Sequence, residues 1–255
     1  MMRDFSLKIY QRYLEAIKNQ NIPFFTFEEY FLLQERPHEF CLIRHDVDRF
    51  PKRALSMAII EKSIGVKSTY YFRSKPWSFD KNIISEVVQL GHEVGYHYEN
   101  LSDTNGDIEK GMVDFEKKLK EFRKTTNVKT ISMHGRPLKK YDNRELWSKE
   151  NHSLLKNKLG IFGEVYKDID YSDIAYINDT GRNWTELKSN NRDKVKSDIK
   201  VNFKTSDELL NFLKNSSCKK ICFQIHPERW VDDPIMWSIQ WLIDISINLA
   251  KKIMR

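Results

Sequence analysis

Cys41-Leu42-Ile43-Arg44-His45-Asp46-Val47-Asp48 begins as an apolar run and then delivers an arginine, a histidine and two carboxylates. The apolar half is read as a buried strand, and so much charge at its end is more than a core accepts, so the strand leads into a site. Side chains alternate along an extended chain, which places Asp46 and Asp48 on one face. Two like charges converging there would be relieved by a metal cation. Pro51 opens the next element and leaves no room for a long loop. An isolated pair of aspartates is equally compatible with a surface turn, so the rest of the chain has to decide.

Working outward, residues 6–18 carry Leu7, Tyr10, Leu14 and Ile17 at helical spacing, and Thr26 with Glu29 matches a capping box that starts a second helix. This opening stretch, 1–38, is expected to form a helical cover. The helix after Asp48 runs over 51–64, with Gly65 as its stop. Strand-like runs then alternate with helical ones: strands at 68–72, 93–98, 128–133, 174–177 and 221–225, a short one near 160–163, and helices at 82–90 and 107–124. This pattern predicts a parallel sheet covered by helices, open or closed into a barrel, within one domain over 1–255. The barrel is placed at 39–230 and a C-terminal helix at 234–254. Residues 235–250 are apolar but broken by Gln240, Asp244 and Asn248, which predicts a packed helix and no transmembrane segment.

Hydrophobic residues make up 40% of the 255, enough for a sizeable core, and the formal net charge is +7. The lysines are dispersed, as at Lys117, Lys118 and Lys120, and read as solvated helix faces, which argues against nucleic acid as a partner. Three cysteines, Cys41, Cys218 and Cys222, make no disulfide framework, and no signal-like apolar stretch opens the chain. The expected location is the cytoplasm. No GxSxG elbow, GxGxxG or Walker-type loop is present, which leaves acyl-enzyme, dinucleotide and nucleotide-hydrolase chemistry unsupported.

Polar clusters fall at or after successive strand-like runs: Asp46 and Asp48, then 91–100 with His97 and Glu99, then His134 and Arg136, then Asp179 to Trp184, then His226 to Trp230. Parallel α/β folds gather function at the C-terminal ends of their strands, so these clusters are expected to meet.

These residues resemble the motifs of the polysaccharide deacetylase family, the NodB-type carbohydrate esterases. Arg44-His45-Asp46-Val47-Asp48 is similar to the first motif, Gly91-His92-Glu93-Val94-Gly95-Tyr96-His97 to the second, and His134-Gly135-Arg136-Pro137 to the third. The stretch from Asp179 to Trp184 resembles the fourth, and Ile221 to His226 the fifth. More narrowly, the chain is similar to the WbmS-type deacetylase-like proteins of lipopolysaccharide O-antigen clusters. The resemblance implies a distorted (β/α)7 barrel with an N-terminal helical extension. It implies Asp46 as general base, Asp48 and His97 as metal ligands, Arg136 as the group that orients Asp46, and Asp179 as partner of an acid His226. The family's second metal histidine corresponds to Leu101, which cannot bind a metal. Two replacements are open, Glu99 and His134, and His134 is preferred because an imidazole suits a borderline-soft ion such as Zn²⁺. Tyr98, Arg182, Trp184 and Trp230 are assigned to the substrate, the indole rings as pocket walls or as ordinary core.

The reading is a divalent-metal-dependent hydrolase, with Zn²⁺ first in order, removing an acetyl or similar acyl group from an amino sugar of a surface polysaccharide or its precursor. A catalytically altered carbohydrate-binding or scaffold protein, or a hydrolase of a non-sugar amide, are the alternatives.

Overall fold

Ser6 accepts a hydrogen bond from the amide of Ile9 at 3.3 Å and so caps α1 (Leu7–Lys18). A computed structural model describes residues 3–136, 139–185 and 194–253 of the chain. Pro137 of the third motif and position 254 of the expected last helix lie outside these residues. After α1 come β1 (Phe24–Phe25) and α2 (Phe27–Leu32), the latter closed by the expected capping box between Thr26 and Glu29. Then follow β2 (Phe40–Val47), α3 (Pro51–Ile64), β3 (Thr69–Phe72), α4 (Lys81–Gln89) and β4 (Glu93–Tyr98). The chain continues through α5 (Asn100–Asp103), α6 (Ile108–Arg123), β5 (Thr130–Met133), α7 (Lys149–Asn157), β6 (Gly163–Glu164) and β7 (Ala175–Asn178). It ends with β8 (Trp184–Thr185), β9 (Asn202–Phe203), α8 (Ser206–Asn215), β10 (Lys220–Ile225) and α9 (Pro234–Ile253). Pro51 stands at the start of α3, where its missing amide costs nothing, and Gly65 stops that helix at φ 77°.

The strands lie in the order β6-β5-β4-β3-β2-β10-β7, and every ladder along that path is parallel. The sheet curls into the expected distorted (β/α)7 barrel, and no ladder joins its edges β6 and β7 among the described residues. β2 is central, with Asp46 beside Tyr71 of β3 and His45 beside Ile225 of β10. Its even-numbered side chains Leu42, Arg44 and Asp46 point into the barrel. Cys41, Ile43 and His45 point out toward α1 and α3.

Burial of Ile9, Tyr10, Tyr13, Leu14 and Ile17 along one face fixes α1 on the outside of the sheet. Each such side chain contributes roughly 1.5–3 kcal/mol. α2 closes the opposite end of the barrel from the strand termini that carry the polar clusters. The Phe27 amide donates to Thr69 Oγ1 at 3.0 Å, and the Glu28 amide to Glu93 Oε2 at 2.8 Å. Gly95 is needed inside the barrel, because a Cβ there would lie 2.3 Å from the Tyr71 ring and 2.8 Å from the Thr130 carbonyl oxygen.

Candidate metal and catalytic site

Asp48 follows β2, His97 is near the end of β4, and His134 follows β5, so the C-terminal ends of three strands of one parallel sheet deliver all three. One ligand atom from each lies within 4.8 Å of the others. His134 Nε2 is 3.3 Å and His97 Nε2 is 3.7 Å from Asp48 Oδ1. Each imidazole is held by its other nitrogen: His97 Nδ1 donates to the Ser132 carbonyl at 3.0 Å, and His134 Nδ1 to Glu99 Oε2 at 3.0 Å. That fixes both tautomers so that Nε2 faces Asp48. Asp48 Oδ1 is itself buried without a hydrogen-bond partner. A buried carboxylate oxygen left so, with two imidazole nitrogens aimed at it, fits a cation.

The electrostatics differ at the two histidines. Burial outweighs the nearby carboxylates at His97 and lowers its pKa to about 4. Burial also opposes a charge on His134, but Asp48 and Glu99 more than offset it and raise the pKa to about 9. A proton therefore competes with a cation for His134.

Glu99, the alternative ligand, is engaged elsewhere. It accepts from both Arg73 Nε at 3.1 Å and Arg73 NH2 at 2.8 Å, besides holding His134. Its position beside His134 is that of a group orienting a ligand. Leu101, at the place of the missing histidine, is buried in α5 within the core between helices and sheet.

Asp46 lies beside this trio, with Oδ2 3.7 Å from His97 Nε2. The Arg44 guanidinium grips it with two bonds, Nε to Oδ1 at 2.9 Å and NH2 to Oδ2 at 2.7 Å, and Gln224 Nε2 adds a third at 2.9 Å. Burial raises the Asp46 pKa, but Arg44, His97 and His226 override it and hold it below the ordinary value. The expectation that Arg136 orients Asp46 is corrected here. Arg136 NH1 donates to Asp103 Oδ1 at 2.8 Å and lies 3.4 Å from Glu99, whereas Arg44, two residues before Asp46 on the same face of the same strand, holds the aspartate. The alternation that put Asp46 with Asp48 could have found it.

Across the cleft, His226 Nδ1 lies 2.6 Å from Asp179 Oδ1, and the His226 amide donates to Oδ2 at 3.0 Å. Arg229 NH1 and Trp230 Nε1 also donate to this carboxylate, each at 2.8 Å. Arg229 NH1 is 2.8 Å from His226 Nδ1 as well. That nitrogen carries the proton given to Asp179, so the guanidinium contact is a shared approach to one oxygen rather than a bond between the two cations' donors. Burial and Arg229 lower the His226 pKa, Asp179 raises it, and the net direction is up.

One cleft is lined by Asp46, Asp48, His97, His134, His226 and Glu228, among others. Asp179 supports His226 from behind, and Arg136 rests on Asp103 beside Glu99. Tyr98 and Arg182 face away from the cleft, and both indole rings take the core alternative of their two readings. Tyr98 points out of the barrel against Phe115 and Trp147, because it has the opposite parity to His97. Trp184 stacks on Phe5 at 4.8 Å in the core under α1. Trp230 is buried beside Phe5 and Tyr10 and serves Asp179. Arg182 bonds Asp244 at 3.3 Å and ties the loop after β7 to α9. Glu228, quoted within its cluster but given no role by the sequence, lies in the cleft wall. Burial first and Asp48 second raise its pKa to about 7.

No protein-family model matches the chain, and no curated protein matches it. Among solved structures, the chain is similar to the Streptococcus pyogenes deacetylase PplD in complex with acetate, at 13% identity and TM-score 0.45, covering 82% of this chain and 87% of that one. It is similar to a family 4 carbohydrate esterase from Streptomyces lividans in complex with acetate, at 10% identity and TM-score 0.41, covering 84% and 90%. It is also similar to the peptidoglycan deacetylase PdaC from Bacillus subtilis, at 9% identity and TM-score 0.39, covering 84% and 95%.

Proposed function

We propose that this protein is a metal-dependent hydrolase that removes an acetyl or similar small acyl group from an amino sugar of a surface polysaccharide or its precursor, of the O-antigen kind. The observation that carries the proposal is the meeting, in one cleft, of Asp48, His97 and His134 with a separately held carboxylate, Asp46, and a carboxylate-bound histidine, His226. Two imidazoles and one carboxylate suit Zn²⁺. Bound there, the ion would supply Lewis-acid polarisation and lower the pKa of a water from 15.7 toward about 7.

The chain's own groups then divide the proton traffic. Asp46, anionic and fixed by Arg44 and Gln224, accepts a proton from the attacking water. His226 is held in its charged form by Asp179 and donates from Nε2 to the departing nitrogen or oxygen. Glu99 and the Ser132 carbonyl hold the ligand imidazoles still. The proposed location is the cytoplasm, where Cys41, Cys218 and Cys222 stay as thiols.

The test combines elemental analysis of the purified protein with an assay of acetate release from N-acetylhexosamine oligosaccharides. Stoichiometric zinc, with acetate release that a chelator abolishes and zinc restores, is expected. Protein that binds these oligosaccharides but takes up no metal and releases no acetate would establish the carbohydrate-binding alternative instead.

A further inference from the structure

α9 is amphipathic the wrong way round for a helix lying on a protein. Its polar side faces inward. Gln240 Oε1 accepts from Arg53 NH1 at 3.0 Å, Asp244 Oδ2 from Arg182 NH1 at 3.3 Å, and Asn248 Nδ2 donates to the Gly181 carbonyl at 2.9 Å. These bonds pin the rotation of the helix about its axis, so it cannot roll its apolar side inward. Outward stand Ile235, Met236, Ile239, Trp241, Leu242, Ile245 and Leu249, between 42% and 69% exposed. Together they present on the order of 700 Å² of apolar surface. The largest patch on a typical monomer is about 300–600 Å², and one partner in a standard interface gives about 800 Å².

The outward stripe is symmetric about its middle. Ile235, Ile239, Leu242, Ile245 and Leu249 are spaced four, three, three and four, so Leu242 is the centre of the pattern. Turned end for end about Leu242, Ile235 falls on Leu249 and Ile239 on Ile245. We propose that this face of α9 is the interface at which two copies of the chain pair antiparallel, with the twofold axis passing at Leu242. A twofold interface must be complementary to itself under that operation, and the apolar stripe is so at its five positions. A membrane surface fits less well, because interfacial helices carry Lys and Arg along their polar side, and the polar side here is Gln240, Asp244 and Asn248, turned into the protein. Asp244, Ile247 and Asn248 also border the cleft, so the pairing steadies one of its walls.

The interface is tested without reference to activity. Sedimentation of the intact protein at micromolar concentration is expected to give twice the 30.5 kDa chain mass. Leu242→Glu places two like charges on the axis, and is expected to weaken association by about 100-fold while leaving the circular dichroism spectrum and melting profile unchanged. Leu242→Cys, oxidised, is expected to give a disulfide-linked dimer that the wild type, with its native cysteines, does not form. A wild type that remains monomeric overturns the proposal, and if that monomer co-floats with phosphatidylcholine–phosphatidylglycerol vesicles the face belongs to a membrane. A dimer that Leu242→Glu leaves intact, or that Leu242→Cys fails to cross-link, also overturns it.

Discussion

His134 Nδ1 lies 3.0 Å from Glu99 Oε2 while its Nε2 lies 3.3 Å from Asp48. The imidazole bridges two carboxylates, one orienting it and one sharing its candidate ion. In this geometry Glu99 acts through His134. His134→Ala is therefore expected to abolish tight zinc binding, and Glu99→Gln to weaken it about 10–100-fold, as removal of a ligand's orienting partner does. Competition with a chromogenic chelator measures both. Equal zinc affinity in His134→Ala and the wild type would remove His134 from the ligand set.

Asp46 is expected to matter for turnover and not for metal. Asp46→Asn should retain zinc and lose about 10²–10⁴-fold in kcat. Arg44→Met should cost more stability than Asp46→Asn, on the order of 3–5 kcal/mol, because it leaves a buried carboxylate without its guanidinium. Arg136→Ala, whose charge rests on Asp103 and Glu99, should cost much less. Urea unfolding and zinc stoichiometry on the three variants decide it; loss of zinc in Asp46→Asn would move that residue into the ligand set.

His226 is the proton donor in this scheme, and its pKa is raised by Asp179 against burial and Arg229. Activity is expected to fall as pH rises through that raised pKa, since the donor is then deprotonated. In Asp179→Asn the supporting anion is gone and Arg229 remains, so the alkaline limb of the kcat profile should move to lower pH. An unmoved limb would mean that another group supplies the proton.

Glu93, at the closed end of the barrel, is buried among Thr69, Thr130 and the Glu28 amide, and burial raises its pKa to about 7. Its folded-state pKa lies above its unfolded value near 4.3. The folded protein therefore holds more protons between the two, and stability contributed by the neutral form is lost as pH rises from about 5 to above 7. The loss is on the order of 3 kcal/mol. Glu61 runs the other way. Burial opposes its charge, but His45, His92 and Ser68 hold its pKa down to about 2, so its contribution is present above about pH 4.3 and lost in acid. Glu93→Gln should be more stable than wild type at pH 8 and about equal at pH 5. Denaturant midpoints at the two pH values test this, and parallel pH dependences in variant and wild type would refute it.

The sequence by itself determined whatever depends on neighbours along the chain. The capping box at Thr26 and Glu29, the Gly65 stop, the strand 93–98 and the helix 51–64 follow from local backbone chemistry and were readable without coordinates. So was the gathering of polar clusters at strand ends, because a parallel sheet orders its strand termini at one end. Tertiary structure alone decided which partners meet across strands. Register and curl brought Arg136 to Asp103 instead of Asp46, made Glu99 the holder of His134, and packed Trp184 under α1. It also decided the inversion of α9. The broken apolar run at 235–250 marked a helix that packs, but only Arg53 of α3 and Arg182 of the loop after β7, far away in sequence, draw its polar residues inward and leave its apolar side facing out. A strand's period assigns a side chain to a face; what waits on that face is supplied by residues the chain reaches only after folding.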